Sequence, residues 1–304
     1  MCLTLFLIVT VSFFVIRLMP GSVYEDPELP QSVIEALEDK MHLNDPLIKQ
    51  YYYYLKGVVL DGDFGITVSI EPSVPVFKIL TRRIPISLCI NLASLILALP
   101  LGIAAGTLAA MKKNKLPDHV VSFLVVICIS LPSFVFASLL QYFVAFKLGW
   151  LPIIYSPTAQ TMEKAVSLVL PVLALGFWPI ATVARYLRGE LIETVNSEFM
   201  LLARTKGLSR VQAIVRHAFR NSCLPLANII IPMFTNILGG SLVIEKIFSV
   251  PGVGGLMIDA INARDHALTI AVLIFYSIIS LLTIFIVDIS YGIIDPRVRM
   301  GAKK

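Results

Sequence analysis

Apolar residues run along this chain in long uncharged blocks, not in the alternating or one-sided patterns of a soluble fold. Four blocks carry no Asp, Glu, Lys or Arg: 84–111, 120–146, 224–244 and 267–287. As helices rising about 1.5 Å per residue, each is long enough to cross about 30 Å of hydrocarbon. A fifth block, Ala165 to Ala184, is interrupted only by Pro171 and Pro179. The opening stretch MCLTLFLIVTVSFFVIRLMPG is uncharged from Met1 to Ile16. It has neither a basic leader nor a small-x-small cleavage site, so it reads as a retained span and not as a signal peptide. The pattern predicts an all-α chain with six spanning helices.

Between the blocks, Gly21 to Arg83 is the one sizeable extramembrane piece. Prolines at 20, 27, 30 and 46 punctuate it. SVIEALEDKMHL has helical spacing at Val33, Leu37 and Met41, and YYYYLKGVVL predicts a second helix. Tyr51 to Tyr54 read as an aromatic surface at the membrane interface, and GWLPI at Gly149 carries a similar signal. LDGDFG has acids at 61 and 63 but lacks the remaining ligands of a calcium loop, so it reads as a turn.

The stretch SEFMLLARTKGLSRVQAIVRHAFRNS, from Ser197, has the local signals of two short helices. Asn196 or Ser197 suits the first N-cap, Gly207 a left-handed terminus, and Ser209 with Gln212 a capping box. Val211, Ile214, Val215, Ala218 and Phe219 form one apolar stripe. Ala203, four positions before Gly207, leaves a face on which another protein's backbone comes close. The same pattern occurs in DNA-binding helix-turn-helix motifs, but here a membrane block on either side pins it to the bilayer, which excludes entry into a major groove. A plain amphipathic interfacial loop is the other reading.

Composition strengthens the membrane reading: 57% of residues are hydrophobic, 15% are charged, and the mean hydropathy is +0.84. Charge sets the orientation. Lys112, Lys113 and Lys115, seven cations from Arg185 to Arg220, and Arg297, Arg299, Lys303 and Lys304 lie in alternate loops. Gly21 to Arg83 holds six basic residues against ten acidic ones. Positive-inside bias therefore puts both termini and the Ser197 loop in the cytoplasm. The net charge of +5 is accounted for by anionic membrane lipid, without a nucleic-acid partner.

Cys2, Cys89, Cys128 and Cys223 lie in or beside spans without CxxC spacing, and the four histidines are scattered over different loops. Neither set has metal-site spacing. Asp288 is the acid placed to be partly buried in a span, more as a cap or inter-helix partner than as an ion relay. The chain has no phosphate-binding GxxxxGK[ST] loop and no recognisable catalytic constellation, so any uphill transport draws its work from a partner.

At the Ser197 loop the sequence resembles a known family. EFMLLARTKGLSRVQAIVRHAFRNSCLP is similar to the EAA loop of permease subunits of binding-protein-dependent ABC importers, matching at Glu198, Ala203, Gly207 and Leu224-Pro225. FFVIRLMPG, the outside segment ending in GDFG, LPSFVFASLLQYF, SLVIEKIFSVPGVGGL and VDISYGIIDPRVR resemble the oligopeptide, dipeptide and nickel branch, most like the first oligopeptide permease subunit. The resemblance implies the type I importer permease fold in a bacterial cell membrane. Its parts would be a first span over 1–19, an extracytoplasmic helical insertion over 20–83, and a permease core over 84–304 with a cytoplasmic coupling loop at about 196–222. It also implies a second homologous permease, two ABC ATPases that bind ATP and Mg, and an extracytoplasmic peptide-binding protein.

This chain would then be a transport subunit without a cofactor or catalytic residues of its own. Glu198, Ala203, Arg204, Lys206, Gly207 and Leu208 would couple to the ATPase. Asn91, Pro132, Gln141 and Asn236 are candidates to line the pathway, with helix packing as the competing role. Oligopeptides are the expected cargo; dipeptides, nickel chelates and glutathione are the alternatives within the family. A secondary transporter would show charged residues within spans or inverted repeats, and a sensor would need a cytoplasmic domain larger than the tail after Pro296.

Overall fold

The computed structural model describes residues 1–19, 42–235 and 242–294, with residues 32, 35, 38 and 39 in addition. The helix expected around Val33 to Met41, the candidate Asn236 and the basic tail lie outside the described residues. Among the described residues the regular structure is helical, with one isolated bridge between Ile66 and Pro75.

The helices are α1 (Cys2–Arg17), α2 (Leu47–Lys56), α3 (Val76–Met111), α4 (Leu116–Ser130), α5 (Ser133–Leu140), α6 (Thr161–Ser167) and α7 (Val169–Val195). They continue as α8 (Glu198–Thr205), α9 (Arg210–Ala213), α10 (Phe219–Thr235), α11 (Leu242–Ile247), α12 (Val253–Asn262) and α13 (His266–Ile294). Wider π-helical turns extend α2 over Gly57–Asp61 and α5 over Gln141–Lys147, and join α9 to α10 over Ile214–Ala218.

Three stretches are long and apolar enough to cross a membrane: Val76–Met111, Thr161–Val195 and His266–Ser290. The third predicted span differs from the uninterrupted helix that its composition suggested. Its two halves, α4 and α5, meet at 107°. The cause is local: Pro132 follows Leu131, whose ψ of 128° is the extended value imposed on a residue before proline. Pro179, by contrast, lies inside α7 without ending it. The predicted fifth span enters as α10 and then passes into residues outside the described set. At 16 residues, α1 is a shorter apolar helix.

The longest spans, α3 and α7, pack through small residues. A Cβ added at Gly106 would fall 2.6 Å from the Ala184 carbonyl oxygen, and one at Gly102 would fall 2.8 Å from the Val183 Cβ. The GxxxG spacing on α3 thus lets two backbones meet, a packing mode typical of membrane helices. Towards the start of α3, Val76, Ile79 and Leu80 are buried with α12 and α13. Towards the far ends of α3 and α7, Leu187, Leu191, Ala213, Ile214 and Leu226 form the cluster that carries the Ser197 loop.

The outside helix expected at the tyrosines is α2, and it lies against α1. Tyr51 and Tyr54 pack on Phe13, with ring centroids 5.3 and 5.2 Å away, and the Tyr51 hydroxyl is 2.6 Å from Thr10 Oγ1. Tyr52 and Tyr53 are exposed, so the aromatic run faces two ways. Buried Gln50 donates to the Leu43 and Asp45 carbonyls and accepts from Arg17 Nε at 2.7 Å. LDGDFG is the expected turn: Gly62 and Gly65 have positive φ, and Asp63 Oδ1 accepts the Gly65 N–H.

Candidate functional site

The Ser197 loop forms as its capping residues dictate. Gly207, at φ +91°, follows α8 in a left-handed conformation that side chains other than glycine resist. Ser209 Oγ then accepts from the Gln212 N–H at 3.3 Å while Gln212 Oε1 accepts from the Ser209 N–H at 3.1 Å, a reciprocal capping box. The Ser197 hydroxyl does not cap α8; it donates to the Thr194 carbonyl at 2.6 Å. Ser222 Oγ donates to Thr194 Oγ1 at 3.0 Å, tying the return of the loop to the end of α7.

Of the residues expected to couple, Glu198, Lys206 and Gly207 are exposed and Leu208 is half-buried. Arg204 is on α8. Ala203 departs from expectation: it is buried with Met200, Leu191 and Ala213, so the close approach it permits is made inside this chain. The face turned outward instead presents Phe199, Leu201 and Leu202, which are 42%, 64% and 55% exposed. Sequence reading passed over these three, although their spacing puts them opposite Met200 and Ala203 on one amphipathic helix. An apolar outward face with a cation at its end suits a protein groove or a headgroup layer.

Near the Ser197 loop, Arg188 on α7 binds Asp118 on α4 with two bonds, Nε to Oδ1 at 2.5 Å and Nη2 to Oδ2 at 2.9 Å. Asp118 is 2% exposed and also accepts the Asn114 N–H at 2.9 Å. This bidentate pair fixes the angle between α4 and α7 just above the loop.

Two of the four pathway candidates come together. Asn91 and Pro132 line one cavity of about 510 Å³, with Ser94, Phe177, Trp178 and Met233 among the other walls. Asn91 Nδ2 donates to the Ser87 carbonyl at 2.7 Å. Gln141 lies elsewhere: its Nε2 donates to the Ile153 and Ile247 carbonyls, joining the end of α5 to the end of α11. These bonds are of the packing kind, and Gln141 is not among the described residues that line the cavity of Asn91 and Pro132. The cavity lies at the bend, with Leu131, Pro132 and Ser133 in its wall, while α5 beyond the bend still packs on α7 through Phe136 and Phe177.

Asp288, chosen from sequence as the partly buried acid, is exposed on this chain. Besides Asp118, the buried acids among the described residues are Glu245 and Asp265, both 0% exposed. Glu245 accepts from Ser87 Oγ at 2.8 Å and from the Gly255 N–H at 3.0 Å. Asp265 Oδ2 accepts the Val68 and Ser69 N–H groups at 3.0 and 3.1 Å, and Oδ1 accepts the Leu268 N–H at 3.3 Å, capping α13 and anchoring the outside loop together. The signals were present as Asp265 just before an apolar block and as Glu245 ahead of the glycine-rich SVPGVGG turn, whose free N–H groups need acceptors.

Comparison with known proteins agrees with this architecture. Residues 98–300 match the family described as binding-protein-dependent transport system inner membrane component. The chain is 40% identical to the dipeptide transport system permease protein DppB of Lactococcus lactis subsp. cremoris, over 98% of this chain and 96% of that protein. It is 35% identical to DppB of Bacillus subtilis, over 100% and 96%. With the oligopeptide transport system permease protein OppB of Escherichia coli K12 it shares 37%, over 97% and 95%. The apolar helices, the Ser197 loop and this near-full-length similarity together identify the chain as a multi-pass membrane protein belonging to the binding-protein-dependent transport system inner membrane components.

Proposed function

We propose that this chain is a permease subunit through which an ATP-driven importer takes up peptides delivered by an extracytoplasmic binding protein. The observation that carries the reading is the similarity to dipeptide and oligopeptide permeases along 97–100% of the chain. Six spans cross the membrane with both termini cytoplasmic, residues 20–83 lie outside, and residues 84–304 form the core. A second, homologous permease completes the passage, and two ATPase subunits supply the work. Oligopeptides are the proposed cargo. Dipeptides are the second reading, favoured by the 40% identity with the L. lactis dipeptide permease. Competition of labelled peptides of two to six residues for uptake separates the two.

In this reading α8 enters a groove on an ATPase, with Phe199, Leu201 and Leu202 as its apolar contacts and Glu198, Arg204, Lys206 and Gly207 beside them. Leu208 and Ala203 hold the helix in place from within. Gly207 offers a clean test, because a Cβ there meets no atom within 4 Å in this chain. Gly207→Trp therefore costs the isolated permease only the left-handed backbone penalty, about 1 kcal/mol. A closely packed partner adds about 1–3 kcal/mol. Gly207→Trp is expected to abolish peptide-stimulated ATP hydrolysis and uptake at unchanged membrane abundance, with Gly207→Ala much milder. A loop that merely lies on the membrane predicts tolerance of Trp at headgroup level, and normal uptake by that variant would overturn the docking assignment.

A further inference from the structure

Two cavities meet on α4. The first, built around Asn91 and Pro132, has no charged residue in its wall among the described residues. The second, of about 340 Å³, lies between α4 and α7 with Arg185 and Arg188 in its wall, and Ile129 borders both cavities. Ser122 and Ser130 add neutral hydrogen-bonding groups along the second.

The two arginines at its end are not equivalent. Arg188 is matched by the Asp118 carboxylate through two bonds. Arg185, three residues and about 4.5 Å of helix rise nearer the first cavity, is exposed and makes no ion pair among the described residues. An exposed guanidinium without a carboxylate partner keeps its donors available for an anion.

A peptide brings such an anion whatever its sequence. Its terminal carboxylate is planar and takes two parallel N–H bonds from a guanidinium. On the peptide-import reading above, the geometry points to Arg185 as the residue that receives the C-terminal carboxylate of a peptide moving inward from the Asn91 and Pro132 cavity. Passage through a charge-free wall followed by one cation selects for the end of the chain and ignores its side chains. An anionic lipid headgroup is the competing anion, but a lipid requires only the outer groove. It does not call for a second, charge-free cavity placed on the far side of Ile129.

The test uses the complete importer in proteoliposomes, supplied with paired peptides that differ only in a free or amidated C-terminus and are matched for affinity to the binding protein. Arg185→Gln is expected to lower the free-acid-to-amide uptake ratio by about tenfold, the usual order for loss of a charged hydrogen bond. Arg185→Lys, which keeps the charge but not the paired N–H geometry, is expected to restore the ratio in part. An unchanged ratio overturns the proposal, as does equal loss for both peptides; equal loss that varies with phosphatidylglycerol content assigns Arg185 to lipid. A wild-type complex that hydrolyses ATP but accumulates neither peptide overturns the import reading itself, a result separate from these.

Discussion

Gly252 shows how much a single hydrogen atom in place of a methyl group decides in this protein. A Cβ there would run into the Glu245 carboxylate and the Ser87 hydroxyl, which bond to each other in a fully buried position. Gly252→Ala is therefore expected to destabilise the folded permease by about 1–3 kcal/mol, as overpacking does. At Gly255 the nearest atoms would be 3.5 and 3.9 Å away, ordinary contact, so Gly255→Ala is the matched control with little effect. Thermal unfolding of the purified complex in detergent checks both. Equal stability of the two variants would mean that the Glu245 carboxylate is free to move aside.

Among the elements, α3 and α7 depend on the close approach at Gly102 and Gly106. Gly106→Leu is expected to force these helices apart and to lower the yield of folded protein severely, because the obstacle is the Ala184 backbone and not a side chain that can rotate. Gly189, with no atom near its absent Cβ, is expected to accept Ala; fluorescence-detected size exclusion of both variants makes the comparison. The helices themselves were legible from sequence because an uncharged block long enough to span has few alternatives. The end of α8 and the start of α9 were legible for a different reason. Gly207, Ser209 and Gln212 act on neighbours within a few residues. What escaped were features fixed by distant partners. Burial of Ala203 depends on α7 and α9, the place of Gln141 depends on the Ile247 carbonyl, and the burial of Glu245 rests on Ser87 in another helix. No local pattern encodes those pairings.

At the scale of the whole molecule, the proposed orientation rests on the cation asymmetry of the loops. In a cysteine-free background, a thiol reagent that does not cross membranes is expected to label Lys49→Cys in intact cells and to label Lys206→Cys only after permeabilisation. The reverse pattern would invert the topology, and with it the assignment of α8 to an ATPase. The same orientation puts Asp265 and Glu245 towards the outside and the Asp118–Arg188 pair towards the inside. The buried acids thus brace the two mouths of the protein while the cavity between them stays free of charge.

The bend at Pro132 has one more effect. In a continuous helix the Cys128 carbonyl would accept from the residue four places on, but that residue is proline and has no N–H to give. Cys128 and Pro132 both line the cavity, so a main-chain acceptor at mid-membrane is left to other partners. Every amino acid carries the same carbonyl, so no exchange at position 128 removes it. For the peptide cargo proposed above, a carbonyl left open at this point would meet the amide backbone whatever the side chains, and it would be set by the neighbour four residues away.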